Sequence, residues 1–133
     1  MRVVVDTNVF VSSFWGGKPM EVIQHWYDGQ VTLCLNQAIL EEYHRVLEKM
    51  GLENEEELKS IFSMLKSGKN LDYCVGSIFR KFIAADPDDD KFINCALELG
   101  ANTIVSGDKH LLGASRVFDI EIVKPSDFLK KFP

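Results

Sequence analysis

Residues 2–8 read RVVVDTN, and this stretch decides the fold class. The β-branched run Arg2–Val5 has no polar alternation, which predicts a short strand buried on both faces, as in a parallel sheet that helices cover. Further strand patterns occur at residues 31–35, 102–106 and 121–123, with helical patterns between them. Strands that alternate with helices in one short chain predict an α/β three-layer sandwich with a mainly parallel central sheet.

The helical patterns carry residues that commonly begin and end helices. Asn36 is a preferred N-cap, Pro87 suits a first helical turn, and Gly100 suits the end of a helix. An edge strand is expected around residues 73–75, within the less regular segment 67–85. The predicted helices span residues 18–27, 36–51, 53–66 and 86–100, with single turns at 111–112 and 125–129.

Length and composition indicate one soluble domain, residues 1–133. The chain has 133 residues, and 15 basic against 20 acidic side chains give a net charge of −5. The three cysteines are far apart with no C-x-x-C pair, which argues against a disulfide framework or a zinc site. No signal peptide or membrane-spanning run is present in the sequence, so we expect a cytoplasmic protein. The acidic balance argues against coating nucleic acid by charge alone, but not against an enzyme that acts on it through bound metal.

Two aspartates follow predicted parallel strands. Asp6 comes directly after the strand Arg2–Val5, and Asp108 comes two residues after the strand at 102–106. In sheets of this kind, ligands bind beyond the carboxyl ends of the strands, where the strand order reverses. We therefore expect both side chains at a ligand site, although each could also be only a turn residue or helix cap.

Helix geometry selects Asp89 from the acidic run at residues 86–90. At about 100° per residue, Asp89 lies within about 20° of the centre of the buried face, with Asp88 about 80° and Asp90 about 120° away. We therefore expect Asp89 to point inward, and Asp88 and Asp90 to lie on or near the solvent side. The buried face itself is formed by Phe92, Ile93, Ala96 and Leu99.

The same calculation separates two neighbouring glutamates in the helix at residues 36–51. Glu42 lies about 100° from the centre of the apolar face and Glu41 about 160° away. Glu42 thus flanks the packed face, while Glu41 is an ordinary solvated charge. The apolar face consists of Ile39, Tyr43, Val46, Leu47 and Met50.

The four acids Asp6, Glu42, Asp89 and Asp108 are expected to converge on one edge of the sheet. Oxygen ligands of this kind suit Mg²⁺ or Mn²⁺ better than zinc, and a cation offsets the repulsion between close carboxylates. Such an ion lowers the pKa of a bound water and clamps phosphoryl oxygens. The expected reaction is hydrolysis of a phosphodiester.

Four sequence motifs stand out over nearly the whole chain, VVVDTNVF at 3–10, ILEEY at 39–43, DPDDDKFI at 86–93 and VSGDKHLL at 105–112. They resemble, in the same order, the motifs of a known family, the PIN-domain ribonucleases. The chain is similar to the stand-alone prokaryotic members, the VapC-like toxins of toxin–antitoxin pairs.

This resemblance implies a parallel sheet flanked by helices, Mg²⁺- or Mn²⁺-dependent endoribonuclease activity on RNA, frequent homodimers and often a small antitoxin partner. Carried over by motif, the catalytic and metal-binding acids fall on Asp6, Glu42, Asp89 and Asp108. Glu42 would hold a water or orient the attacking hydroxide. The supporting positions are Asn8, Asp90, Ser106, Lys109 and His110.

The supporting residues have separate expected roles. Asn8 and Ser106 would fix the carboxylates by hydrogen bonds, and Asp90 supplies the Asn or Asp that often follows the third acid. Lys109 would steady a phosphate. His110 stands where some members have an additional acid, so a second metal position is open, and His110 could contact a phosphate instead.

Other interpretations remain open at this point. A haloacid-dehalogenase-like phosphatase would use Asp6 as nucleophile, but that chemistry normally needs an acid where Asn8 stands. A non-catalytic binding module with the same fold is the other alternative. His25 and His44 are expected to pack or lie at the surface, and scattered bases such as Lys91 are typical of solvated surface.

Overall fold

The computed structural model describes residues 1–52, 56–77 and 87–132. Its strands are β1 (Arg2–Val5), β2 (Thr32–Asn36), β3 (Leu71–Cys74), β4 (Thr103–Val105), β5 (Arg116–Val117) and β6 (Ile120–Val123). Its helices are α1 (Thr7–Ser12), α2 (Gly17–Tyr27), α3 (Gln37–Lys49), α4 (Glu56–Ser67), α5 (Asp90–Leu99), α6 (Lys109–Ala114) and α7 (Pro125–Leu129), with 3₁₀ turns at Ser13–Trp15 and Pro87–Asp89.

The strands form one six-stranded sheet in the order β3-β2-β1-β4-β6-β5. All neighbouring pairs are parallel except β5 and β6. The chain begins in the middle of the sheet, adds β2 and β3 on one side of β1, and later adds β4 on the other side. The strand order therefore reverses between β1 and β4, which is where ligands bind in open α/β sheets.

The register brings the ends of β1 and β4 level with each other. Val5 is paired with Val105, and the N–H of Asp6 donates to the carbonyl of Val105 at 3.0 Å. The residues that follow these two strands consequently leave the sheet side by side.

The helix α3 packs tightly against the end of β1. Tyr43 is fully buried, its hydroxyl donates to the carbonyl of Val5, and its ring stacks on Phe10 with centroids 4.0 Å apart. Asn36 caps α3, because its side chain accepts from the N–H of Ile39 at 2.9 Å. These contacts fix the helix that carries Glu42 relative to the strand that precedes Asp6.

The predicted α/β sandwich with a mainly parallel sheet is confirmed, including an edge strand near residues 73–75. The helix α1 and the short strand β5 were not predicted. The apolar run VFV at 9–11 resembles strand sequence, and β5 is only Arg116–Val117, too short to give a pattern. Met50, expected on the apolar face, is exposed because α3 ends at Lys49.

The acidic start of the fourth predicted helix differs from the expectation. Residues Pro87–Asp89 form a 3₁₀ turn, and α5 begins only at Asp90. Asp86, expected as the cap, lies outside the described residues, as do the predicted helix start at 53–55 and residues 78–85 of the irregular segment. Gly100 ends α5 with a positive φ of 71°, as expected of a glycine there.

Two further features of the described residues are the state of the cysteines and the character of the helices. Cys34, Cys74 and Cys95 are all free thiols, and Cys34 and Cys95 are buried. Within residues 1–52, 56–77 and 87–132, none of the helices has the length and apolar character needed to cross a membrane.

Candidate active site

A cavity of about 200 Å³ opens beside the carboxyl ends of β1 and β4. All four acids singled out from the sequence contribute to its wall. The lining residues are Asp6, Thr7, Asn8, Glu42, Val46, Asp89, Phe92 and Asp108. Residues from four separate segments of the chain thus meet at the point where the strand order reverses.

Asp6 is only 3% exposed, and both of its carboxylate oxygens accept hydrogen bonds. One carboxylate oxygen accepts from the N–H of Val9 at 2.8 Å, which makes Asp6 the N-cap of α1, and the other accepts from the hydroxyl of Ser106. Burial raises the pKa of Asp6, and the hydrogen bonds from Ser106, Val9 and the N–H of Gly107 offset that only in part. The buried carboxylate is therefore electrostatically costly in this site.

Asp108 caps the other helix that starts at this edge. One oxygen accepts from the N–H groups of His110 at 2.8 Å and Leu111 at 3.1 Å, at the start of α6. Burial alone would raise the pKa of Asp108, but the N–H groups of Leu111 and His110 and a side-chain hydrogen bond with Asp89 lower it below its ordinary value. The carboxyl groups of Asp108 and Asp89 thus interact across the cavity that both line.

Ser106 connects the two strand-end acids. Its hydroxyl donates to Asp6 and accepts from the N–H of Asp108 at 2.9 Å, and the residue is 0% exposed. One buried hydroxyl therefore uses both its donor and its acceptor capacity to hold Asp6 and Asp108 in register.

Asp89 and Asp90 are both buried, at 9% and 8% exposure, while Asp88 is exposed. The inward direction of Asp89 agrees with the sequence prediction, and Asp89 lines the cavity. The prediction for Asp90 on the solvent side was wrong. Asp90 is the first residue of α5, and Asn94, one turn later on the same side, is also buried, so α5 is covered on more than its apolar face.

Glu42 flanks the cavity and is half-buried, whereas Glu41 is exposed, as the helix geometry predicted. Both oxygens of Glu42 have partners. Oε1 accepts from the hydroxyl of Thr7, and Oε2 lies 2.6 Å from Nζ of Lys91 and 3.8 Å from Nη2 of Arg45. Glu42 is therefore already compensated by a cation of the chain itself.

A comparison with protein-family profiles matches residues 2–110 to a PIN domain. The chain belongs to the PIN domain family. The match runs from β1 into α6 and includes all four acids of the cavity. PIN domains are generally nucleases and generally use divalent metal ions. A comparison with curated proteins finds no match to this chain.

The donor chemistry of this PIN domain's cavity fits a hard divalent ion. The carboxylates of Asp6, Asp89 and Asp108 are the oxygen ligands that Mg²⁺ and Mn²⁺ take, and neither Asp6 nor Asp108 forms an ion pair with a described lysine or arginine. As they stand, however, the described side chains include no group of three or more His, Cys, Asp or Glu that could hold a metal ion. The cavity thus offers carboxylate oxygens of the kind that such an ion takes, without a closed cage of them.

The remaining supporting residues of this PIN domain lie at the cavity or its rim. Asn8 lines the cavity and is exposed, but within the described part of the chain it forms no hydrogen bond to an acid. Lys109 is exposed at the start of α6, and His110 is half-buried and close enough to lower the pKa of Asp108. Ser106 and Asn8 thus differ, because of the two only Ser106 hydrogen-bonds to a carboxylate of the site, that of Asp6.

Two residues at the site were not assigned a role from the sequence. In the sequence, Thr7 is only a polar residue of the turn after β1, and Lys91 is one of several scattered bases. Lys91 is 16% exposed at the side chain, not solvated. The only sequence signal was position, since Thr7 adjoins Asp6 and Lys91 follows the acidic run.

His25 and His44 pack, as expected, outside this cavity. His25 stacks on Phe132 and His44 on Phe62, each with centroids 4.4 Å apart.

Proposed function

We propose that this chain is a metal-dependent endoribonuclease that hydrolyses RNA phosphodiesters, with residues 1–133 acting as a single nuclease domain. The observation that carries the proposal is the bridge by Ser106 between Asp6 and Asp108, with Asp89 lining the same cavity. Acidic groups assembled where the strand order reverses match the nuclease character of the family.

In this proposal Asp6, Asp89 and Asp108 hold Mg²⁺ or Mn²⁺. Such an ion, when bound, lowers the pKa of a water and neutralises charge on the phosphate under attack. Ser106 keeps Asp6 and Asp108 facing the cavity. Glu42 orients a water, because each of its oxygens can accept a further hydrogen bond beside those from Thr7 and Lys91.

RNA is proposed to approach across the exposed rim of the cavity. Asn8 and Lys109 are exposed there, and His110 is half-buried beside Asp108. These three side chains offer an amide, a cation and a ring nitrogen to the phosphate or sugar. Asp90 is buried at the start of α5, and we give it a structural role at the base of the site.

The experiment is cleavage of single-stranded RNA with Mg²⁺ or Mn²⁺, stopped by EDTA. Asp6→Asn should abolish cleavage, while Asp127→Asn, which changes an exposed acid on α7, should leave it unchanged. Metal-independent cleavage would contradict the proposal. Absence of cleavage in a well-folded protein would favour the non-catalytic binding module instead.

A phosphate-mimicking fluoride distinguishes the phosphatase alternative. That chemistry needs Asp6 as a covalent nucleophile, but both oxygens of Asp6 accept hydrogen bonds here and Asn8 offers no acid. The proposed nuclease forms no aspartyl adduct, so a covalent adduct at Asp6 would favour the phosphatase.

A toxin role extends the proposal, with a small antitoxin partner, a homodimer and action in the cytoplasm. Its support is the resemblance of the four motifs to VapC-like toxins. Induced expression should arrest growth, and Asp108→Asn should relieve the arrest. A small adjacent reading frame with a DNA-binding pattern would support the antitoxin, and light scattering would measure the oligomer.

A further inference from the structure

Glu42 has a lysine of the same chain as its partner, whereas the strand-end acids Asp6 and Asp108 have no such partner among the described residues. Nζ of Lys91 lies 2.6 Å from Oε2 of Glu42, and the side chains are only 16% and 19% exposed. Oε1 accepts from the hydroxyl of Thr7. An ion pair this sheltered from water is screened less than a surface pair. Glu42 is thus held by two donors before any ligand binds.

Lys91 is itself fixed from several sides. Its Nζ also donates to the carbonyl of Asp88 at 2.6 Å and lies 5.1 Å from the centroid of the Phe92 ring. Its own carbonyl accepts from the side chain of Asn36 at 3.2 Å, and Asn36 caps α3. Lys91 therefore joins the helix that carries Glu42 to the turn that carries Asp89.

The strand-end acids are stabilised in a different way. Asp6 and Asp108 accept hydrogen bonds from backbone N–H groups and, for Asp6, from Ser106, but neither has a described lysine or arginine as an ion-pair partner. Their negative charge is available to a bound cation. The negative charge of Glu42 is already offset by Lys91.

We propose that Lys91 is a positioning residue that holds Glu42 in an ion pair and so keeps this carboxylate out of the ligand set of the cation. This rests on the proposed function, in which Asp6, Asp89 and Asp108 hold the ion. Glu42 then acts on water beside the cation, at a distance that Lys91 sets.

The test is Mn²⁺ affinity of the full chain without RNA, measured by electron paramagnetic resonance of free Mn²⁺. Lys91→Met removes one positive charge beside the cavity and releases Glu42, so Mn²⁺ should bind roughly tenfold more tightly. Lys91→Arg, which can still pair with Glu42, should restore the wild-type affinity. If Lys91 only stabilised the fold, Lys91→Met would leave Mn²⁺ binding unchanged or weaken it.

The double variant Glu42→Gln with Lys91→Met gives the sharper test. It removes both charges together, so it leaves no buried charge unpaired, and the pair is replaced by side chains of similar size. If Glu42 is not a ligand, Mn²⁺ affinity should stay within about threefold of wild type, since the net charge near the cation is unchanged. A loss of more than about tenfold would mean that Glu42 binds the ion directly, and would overturn the inference.

Arg45→Met is the matched control. Arg45 also approaches Oε2 of Glu42, but at 3.8 Å and with 68% of its side chain exposed. Its removal should leave Mn²⁺ affinity unchanged within about twofold, because exposed pairs are weak. Thermal unfolding of each variant establishes that it is folded.

The outcomes separate the two proposals. Failure of the wild-type protein to bind Mn²⁺ would count against both the nuclease and the role of Lys91. Wild-type binding together with strong loss in the double variant would reject only the role of Lys91, and the nuclease proposal would stand on its RNA-cleavage test.

Discussion

The acids at the strand ends and the acids on the helices reach the same cavity by different means. Asp6 and Asp108 follow β1 and β4 directly, cap the helices that come next, and share Ser106. Glu42 lies within α3, and Asp89 lies in the turn before α5. Contacts between segments distant in the chain, among them the pair of Lys91 with Glu42, hold these helix-borne acids.

The difference shows which parts of the site depend on local structure. A cap is set by the backbone of its own turn, so Asp6 and Asp108 are positioned as soon as their strands and helices form. The helix-borne acids are in place only when α3 and α5 are packed correctly. The strand-end acids should therefore tolerate changes elsewhere in the molecule better than the helix-borne acids do.

The largest expected effect is that of substitutions at Asp108. They separate its proposed role as a metal ligand from its role as the N-cap of α6. Asp108→Asn should reduce RNA cleavage by more than the roughly 10- to 100-fold that loss of a supporting residue costs. Asn caps helices as well as Asp does, so stability should change little, whereas Asp108→Ala should also lose about 1 kcal/mol. Cleavage rates and urea unfolding of the two variants measure this. Equal destabilisation by Asn and Ala would mean that the cap does not hold Asp108.

The next effect is at Ser106, which joins the two strand-end acids. Ser106→Ala should reduce cleavage about 10- to 100-fold, because Asp6 and Asp108 lose their common partner. It should also cost about 1–3 kcal/mol, since the N–H of Asp108 loses its acceptor.

Ser13→Ala is the control for Ser106. Ser13 is equally buried, and its hydroxyl donates to the carbonyl of Phe10 at 2.6 Å, outside the acidic cavity. This variant should lose stability without losing cleavage. Full activity in Ser106→Ala would show that the caps alone suffice to hold Asp6 and Asp108.

A smaller effect is expected at Tyr43, which joins α3 to β1. Tyr43→Phe removes the hydrogen bond to the carbonyl of Val5 but keeps the ring stacked on Phe10. It should cost about 1–2 kcal/mol in urea unfolding. Cleavage should fall less than in Ser106→Ala, because no acid loses a direct partner. A larger loss would mean that Tyr43 controls the position of Glu42 from within α3.

The smallest effect is expected at Asn8. It lines the cavity but is exposed and forms no described hydrogen bond to an acid. Asn8→Ala should change stability by less than about 0.5 kcal/mol and leave Mn²⁺ affinity unchanged. A clear fall in Mn²⁺ affinity would show that Asn8 orients the carboxylates after all, as the sequence suggested.

The sequence predicted the parts that depend on local geometry. Parallel strands ending at one edge brought Asp6 and Asp108 together, and the α-helical period separated Glu42 from Glu41. The same arithmetic failed at Asp90, because the polar side of α5 that carries Asp90 and Asn94 is also buried, and that depends on tertiary packing.

Other features could not be predicted because they depend on tertiary packing. The pair of Lys91 with Glu42 joins two helices that are distant in the chain, and nothing in either segment indicates the other. The helix α1 was missed because its apolar residues at 9–11 resemble a continued strand. Its N-cap is Asp6, which the sequence also predicts as a ligand.

Asp6 and Asp108 are both helix N-caps and proposed metal ligands, and this affects how the proposed nuclease activity could be lost. A change of Asp6 or Asp108 to Asn keeps a side-chain oxygen that accepts from the backbone N–H groups at the helix start. The inactive variant would therefore fold as well as the active protein. Such a copy would remain soluble enough to persist and would retain the outer surface of the active form. It would then compete with active molecules for whatever binds that surface, and a single altered allele could act dominantly.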